Sequence, residues 1–284
     1  MWIYCVKGKK LHTCDIHSLE ELKKLGEKFD WLWVDCLEPT PEEFNIILHF
    51  TNIEPKFLED VKSGKIFSHH RKFDSYTLIS ISFAAMQKEL KTYPIYIIVG
   101  QKMLFTIRTK ESSAPIEYAI QALKDSLPED ENLKPSFVLC EVLRETTNRN
   151  LDVVMALREI IEKLEEKAMA KPSKIVMNEV FTLKKQIAKF YRLLWDEQQI
   201  LGSLKNGIIP NIKLCEKSVL SLEDTLNNVS RELEILTSYD SALDGVLRLQ
   251  DLSMIHRVEK TLIYLTVITV IMNLFLILLS IFKG

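Results

Sequence analysis

Thr261-Leu-Ile-Tyr-Leu-Thr-Val-Ile-Thr-Val-Ile-Met-Asn-Leu-Phe-Leu-Ile-Leu-Leu-Ser-Ile-Phe282 is an unbroken, uncharged run of 22 largely apolar residues, and no other stretch of the chain is like it. At about 1.5 Å rise per residue a helix of that length spans about 30 Å, the thickness of a bilayer's hydrocarbon core. The run also carries a polar line. His256, Glu259, Thr266, Asn273 and Ser280 alternate with Ile263, Val270 and Ile277 at steps of three and four, so all eight share one helical stripe. Unsatisfied polar groups are costly in lipid, so such a stripe is expected to face protein or water.

The flanks suggest an orientation. His256, Arg257 and Lys260 precede the run and Lys283 alone follows it, a bias that places the preceding body in the cytoplasm. The N-terminus, Met1-Trp-Ile-Tyr-Cys-Val-Lys7, lacks the long apolar region of a signal peptide, so the bulk of the chain is expected to stay where it is made. Cys5, Cys14, Cys36, Cys140 and Cys215 form no Cys-x-x-Cys pair and read as reduced thiols rather than disulfides or a zinc ribbon. With 37 basic against 39 acidic residues the formal charge is −2, and no global field points to nucleic acid.

Upstream of the membrane run lies a stalk. Leu222, Leu226, Val229, Leu233, Leu236, Asp240, Leu243, Leu247, Gln250 and Met254 alternate steps of four and three, a seam that needs partner helices. A helix continuous from about Lys217 to Phe282 would have 66 residues and a length of about 100 Å. Two further long helices, over 136–169 and 173–205, precede it, separated at Lys171-Pro172 and followed by a turn marked by Gly207 and Pro210. These two are the natural seam partners, with other subunits the alternative.

The first 135 residues alternate short β-rich and helical stretches. Strands are expected over 2–6, 31–36, 76–83, 95–99 and 103–108, and helices over 18–28, 40–50 and 112–126. Thr40 is a plausible N-cap followed by Pro41, with Glu42 and Glu43 near the positive helix end. The organisation read from sequence is therefore an α/β domain over 1–135, an antiparallel helical hairpin over 136–216, a stalk over 217–260 and a transmembrane helix over 261–282.

Several motifs occur in a telling order: Trp31-Leu-Trp-Val-Asp35, Pro39-Thr-Pro-Glu-Glu43, Ile53-Glu-Pro-Lys-Phe-Leu-Glu-Asp60, Arg71-Lys-Phe-Asp-Ser-Tyr76, Met103-Leu-Phe-Thr-Ile-Arg108 and His256-Arg-Val-Glu-Lys-Thr-Leu262. Together they resemble the CorA family of divalent-cation channels over nearly the whole chain. The resemblance implies a homo-oligomer, pentameric by analogy, that sits in the cell membrane and moves Mg²⁺ or another divalent cation passively. No organic cofactor is implied. In that family Gly-Met-Asn closes the first membrane helix and a second membrane helix follows. Here Ser280-Ile281-Phe282 falls in that register, and Met272-Asn273 lies mid-membrane, so a divergent member with one membrane helix is expected.

On this reading Thr266, Val270, Asn273, Ile277 and Ser280 line the pore, with a ring of Asn273 amides able to hydrogen-bond the waters of hydrated Mg²⁺. Glu259 and His256 would form the cytoplasmic mouth, or else be interfacial residues with Glu259 paired to Lys260 or Arg257. The opposing reading has Thr266 and Ser280 bonding their own backbone and Asn273 joining helices. Asp240, a carboxylate in the seam, is a candidate metal ligand, because a buried lone carboxylate needs a partner. His69-His70 lacks a third ligand at a metal-binding spacing and reads as loop. No phosphate-binding, dinucleotide, zincin or nucleophile-elbow motif occurs, so catalysis has no support. The rival functions are a non-conducting CorA-related scaffold or accessory subunit, and a tail-anchored enzyme needing a pocket of converging titratable groups within 1–135.

Overall fold

The protein is described from a computed structural model covering residues 1–16, 18–65, 70–170 and 173–283, with side chains described as far as residue 277. Its elements are β1 (Trp2–Lys7), β2 (Lys10–Asp15), α1 (Leu19–Lys28), β3 (Trp31–Leu37), α2 (Pro41–Thr51), α3 (Lys56–Lys62), β4 (Arg71–Phe73), β5 (Tyr76–Met86), β6 (Leu90–Gly100), β7 (Met103–Arg108), α4 (Ser113–Ser126), α5 (Pro135–Ala170), α6 (Lys174–Lys205) and α7 (Glu216–Lys283). The expected α/β domain followed by long helices is the architecture observed. His69 lies outside the described residues, and so do Lys171 and Pro172.

The seven strands form one sheet in the order β2-β1-β3-β7-β6-β5-β4. Only β3 and β7 are parallel, in register from Leu32↔Met103 to Leu37↔Arg108. β7 is buried throughout and β3 everywhere but Leu37. Their richness in aromatic and β-branched residues, suited to strands covered on both faces, is what made these two visible in the sequence. β2 and β4 were not expected. β2 is an edge strand with both faces largely exposed, so Lys10 and His12 stand where an apolar alternation would have announced it. β4 is only three residues long.

Between the two central strands sits a polar chain. Trp33 Nε1 donates to Thr106 Oγ1 (3.0 Å), whose hydroxyl donates to Asp35 Oδ1 (2.7 Å). Arg108 donates to both Asp35 oxygens from Nε (3.1 and 3.2 Å) and from Nη2 to Oδ2 (2.8 Å). Asp35 is 1% and Arg108 8% exposed, so the charges are removed from water and neutralise each other. Thr40 is the N-cap of α2 as expected, with Pro41 in its first turn, and it forms with Glu43 a reciprocal capping box, which was not expected.

α5, α6 and α7 are long because their apolar residues recur at helical spacing. Val176, Val180, Leu183, Ile187, Phe190 and Leu194 keep steps of three and four along α6, Leu201 and Leu204 resume the repeat after a step of seven, and all are buried. Ser173 starts that helix by accepting from Val176 N with its hydroxyl (3.3 Å). Gly207, with φ of 65°, ends it, and Ile208 N donates back to Ser203 O (2.9 Å). The chain divides into two compact units. One contains Met1–Ala156 and Ala188–Leu236; the other contains Leu157–Ile187 and the chain from Thr237 onward. The first is built on the sheet, and the second holds the distal part of α7.

Candidate functional site

α7 passes from a buried seam to a fully exposed surface without leaving the helical conformation. Leu222, Val229, Leu233, Leu236, Leu243 and Gln250 of the expected seam are buried. Met254 is already exposed, and so is every described side chain after it. This helix is long and apolar enough to cross a membrane, and none of its most apolar stretch is buried within the chain. An apolar surface of that length is not stable against water, and a bilayer accounts for it.

On the stripe, Thr266 donates its hydroxyl to Leu262 O (2.8 Å), and off it Thr269 does the same to Leu265 O (2.8 Å). Val270, Asn273 and Ile277 are exposed on the single chain, whereas the Ser280 side chain lies outside the described residues. His256 Nδ1 approaches Glu259 Oε2 at 3.6 Å one turn before the run, both side chains being exposed. The stripe residues and the pair expected at its mouth, His256 and Glu259, share one helical face.

Asp240 differs from the lone buried carboxylate that the seam suggested. Its side chain is 48% exposed and pairs with Lys184 Nζ at 2.8 Å, and Asp244 takes the same ammonium at 2.7 Å. Position 240 falls on the rim of the seam, and a lysine from α6 reaches it. Among the described residues no group of three or more His, Cys, Asp or Glu side chains is placed to hold a metal ion. Gln250, by contrast, is buried in the seam and fully used: its Oε1 accepts from Ser173 N (2.9 Å) and its Nε2 donates to Ala168 O (3.3 Å).

A cavity of about 320 Å³ lies where β3 and β7 end, beside Pro39, Phe44, Tyr96 and Arg108. Its lining is chiefly apolar, with Glu38 and Lys62 beside Arg108, and Arg108 is committed to Asp35.

One polar layer was not expected. Glu197 lies at a seam position of α6, between Leu194 and Leu201, and is 3% exposed. Thr147 and Asn150 of α5 donate to its two oxygens, at 2.7 and 3.0 Å. Glu232 of α7, also 3% exposed, has one oxygen buried without a hydrogen-bond partner among the described residues. The signal was available: Glu197 is the charged member of an otherwise apolar 3-4 repeat.

The family model described as a CorA-like Mg²⁺ transporter protein matches residues 29–278. This chain belongs to that family. It is 21% identical over 248 residues to the cobalt/magnesium transport protein CorA of Methanocaldococcus jannaschii, covering 85% of this chain and 77% of that one. The complete structure of the CorA magnesium transporter from the same organism superimposes with a TM-score of 0.75 at 19% identity, over 95% of this chain and 82% of the other. The ZntB cytoplasmic domain from Vibrio parahaemolyticus superimposes with a TM-score of 0.63 at 13% identity, over 91% and 98%. The CorA-like family is one of divalent-cation transporters rather than enzymes. Its architecture puts the N-terminal α/β domain of this chain in the cytoplasm and its apolar C-terminal helix in the membrane.

Proposed function

We propose that this CorA-like chain assembles into a homo-oligomer, pentameric by resemblance, in which one α7 helix per subunit lines a path for hydrated divalent cations, Mg²⁺ foremost. The observation that carries this reading is the uncharged polar stripe of Thr266 and Asn273 on a membrane run whose other exposed side chains are mainly apolar, Thr269 being the polar residue off the stripe at mid-run. Amide oxygens repeated around an axis can accept hydrogen bonds from the waters of Mg²⁺, an ion that loses its hydration shell reluctantly. Glu259, beside His256 at the near end, raises local cation concentration at the mouth. Movement is passive, down the electrochemical gradient, and no cofactor takes part. Lipid surrounds the helices on their other faces.

A second reading is favoured by one observation. Thr266 satisfies its hydroxyl on its own backbone, so that part of the stripe does not require water. Subunits packed through the stripe would then form a non-conducting scaffold or accessory subunit of the same family. Reconstitution into liposomes loaded with a Mg²⁺-sensitive dye separates the two. Uptake that falls at least about tenfold in Asn273→Leu, for an assembly that still elutes as the same oligomer, supports conduction. Folded oligomers of the unaltered protein that pass no ion establish the scaffold.

A further inference from the structure

The layer formed by Thr147 and Asn150 on α5, Glu197 on α6 and Glu232 on α7 presents an unusual balance. It brings two carboxyl groups into the interior of a helical seam, and among the described residues no basic side chain pairs directly with either. Neither Glu197 nor Glu232 forms an ion pair among the described residues. The acidic side chains one or two turns away are already neutralised: Glu145 pairs with Arg149 at 2.8 Å, and Glu141 pairs with Arg144. Arg231, next to Glu232 in sequence, points to the exposed face and donates to Asn228 Oδ1 (3.2 Å). Gln198 and Ser230, flanking the layer, bond each other at 2.9 Å. On the sheet side, Glu197 forms part of the wall of a cavity of about 260 Å³ that also touches Ser80, Ser82, Lys189, Arg192 and Asp196. Lys189 and Arg192 are exposed at its rim, and Ser82 Oγ is buried without a partner.

Two carboxylates cannot both stay charged in such surroundings without a counter-ion, since each loses its hydration and each repels the other. Thr147 and Asn150 offset part of that cost at Glu197 through their donated hydrogen bonds. Nothing comparable reaches the buried oxygen of Glu232. We infer that the layer is a proton-binding site, in which Glu197 and Glu232 together hold at least one proton at neutral pH and release it to water through the adjoining cavity as a pH-sensitive switch in the packing of α5, α6 and α7. Binding makes one carboxyl a neutral acid whose O–H can donate. Release leaves two facing charges that favour separation of α6 from α7. The pair titrates as a unit, and its two protons leave in coupled steps.

The direction of the shifts agrees. Burial pushes Glu197 up from 4.5 to about 7, the hydrogen bonds from Thr147 and Asn150 pulling the other way. Burial, followed by the charge of Glu197, pushes Glu232 up to about 8, the charge of Arg231 pulling the other way. Both folded-state values exceed the ordinary value, so this pair binds more protons in the folded chain than in the unfolded one between pH 4.5 and about 8. The pair's contribution to stability is therefore greatest at the acid end of that window and is lost as pH rises through it.

The test uses the full chain in detergent, with thermal unfolding followed from about pH 5 to about pH 8.5. Tm is expected to fall by on the order of 5 °C across the window. Glu197→Gln and Glu232→Gln should each reduce that slope, and the double substitution should abolish it and raise Tm at the alkaline end. Infrared difference spectra of the unaltered protein provide a readout that does not depend on the variants folding. A carboxylic-acid C=O band should be present near pH 6, disappear on titration to about pH 8.5, and weaken in either Gln variant. A pH slope unchanged in the double variant, or no protonated-carboxyl band in the unaltered protein near pH 6, overturns the inference.

Discussion

Asp35 and Arg108 show how much a single residue's meaning depends on its partner. Both stand in the motifs that gave the family resemblance, yet they are 73 positions apart, and only the parallel pairing of β3 with β7 brings them together. Removing one member leaves the other charged and buried. Arg108→Met is therefore expected to cost about 3–5 kcal/mol, read as a lowered midpoint in denaturant unfolding, whereas replacing both residues by apolar ones recovers most of the loss. Lys184 is the contrasting case. It holds Asp240 and Asp244 near the surface, and partly exposed pairs of this kind contribute about 0–1 kcal/mol, so Lys184→Met should shift the same midpoint little. The sequence made Asp240 conspicuous because it interrupts an apolar repeat, but it could not reveal that a lysine on α6 would answer it. Glu197 interrupts the α6 repeat in the same manner and has no cation. The two carboxylates look alike in sequence and differ only in what the neighbouring helices bring to them.

At the level of elements, periodicity was the reliable guide. The seam of α7 follows the apolar repeat as far as Gln250, and α5 and α6 extend over nearly the residues their spacing indicated. Leu236→Ala, at a fully buried seam position, is expected to destabilise by about 2–5 kcal/mol, measured as loss of Tm or of denaturant midpoint. What stayed hidden were elements without a repeating pattern. β2 shows polar side chains on an edge, β4 is too short to carry an alternation, and α3 spans seven residues behind Pro55 with no side-chain cap. Their conformations are set by neighbours rather than by their own composition. Within α7 the same limit applies to function. The stripe of Thr266 and Asn273 was plain from spacing, but a helix alone does not say whether that face meets water, another helix or lipid.

For the whole molecule, the family places a cytoplasmic α/β domain and a membrane helix on one chain, and α7 joins the buried seam to the membrane stripe without interruption. Its one interior glycine, Gly245, keeps the helical conformation. A helix with no joint fixes angular phase: the direction faced by Leu243, Val246 and Gln250 dictates the direction faced by Thr266 and Asn273. Inserting a single alanine between Leu252 and Ser253 would swing the membrane stripe by about 100° relative to that seam, turning its polar face away from whatever it meets. Seven inserted residues would return it to within about 20° of its starting angle while displacing it by about 10 Å. If the stripe serves permeation, liposome uptake should vanish with the first insertion and survive in part with the second. The two ends of this rod are geared together, and the gear ratio is written in the number of residues between them.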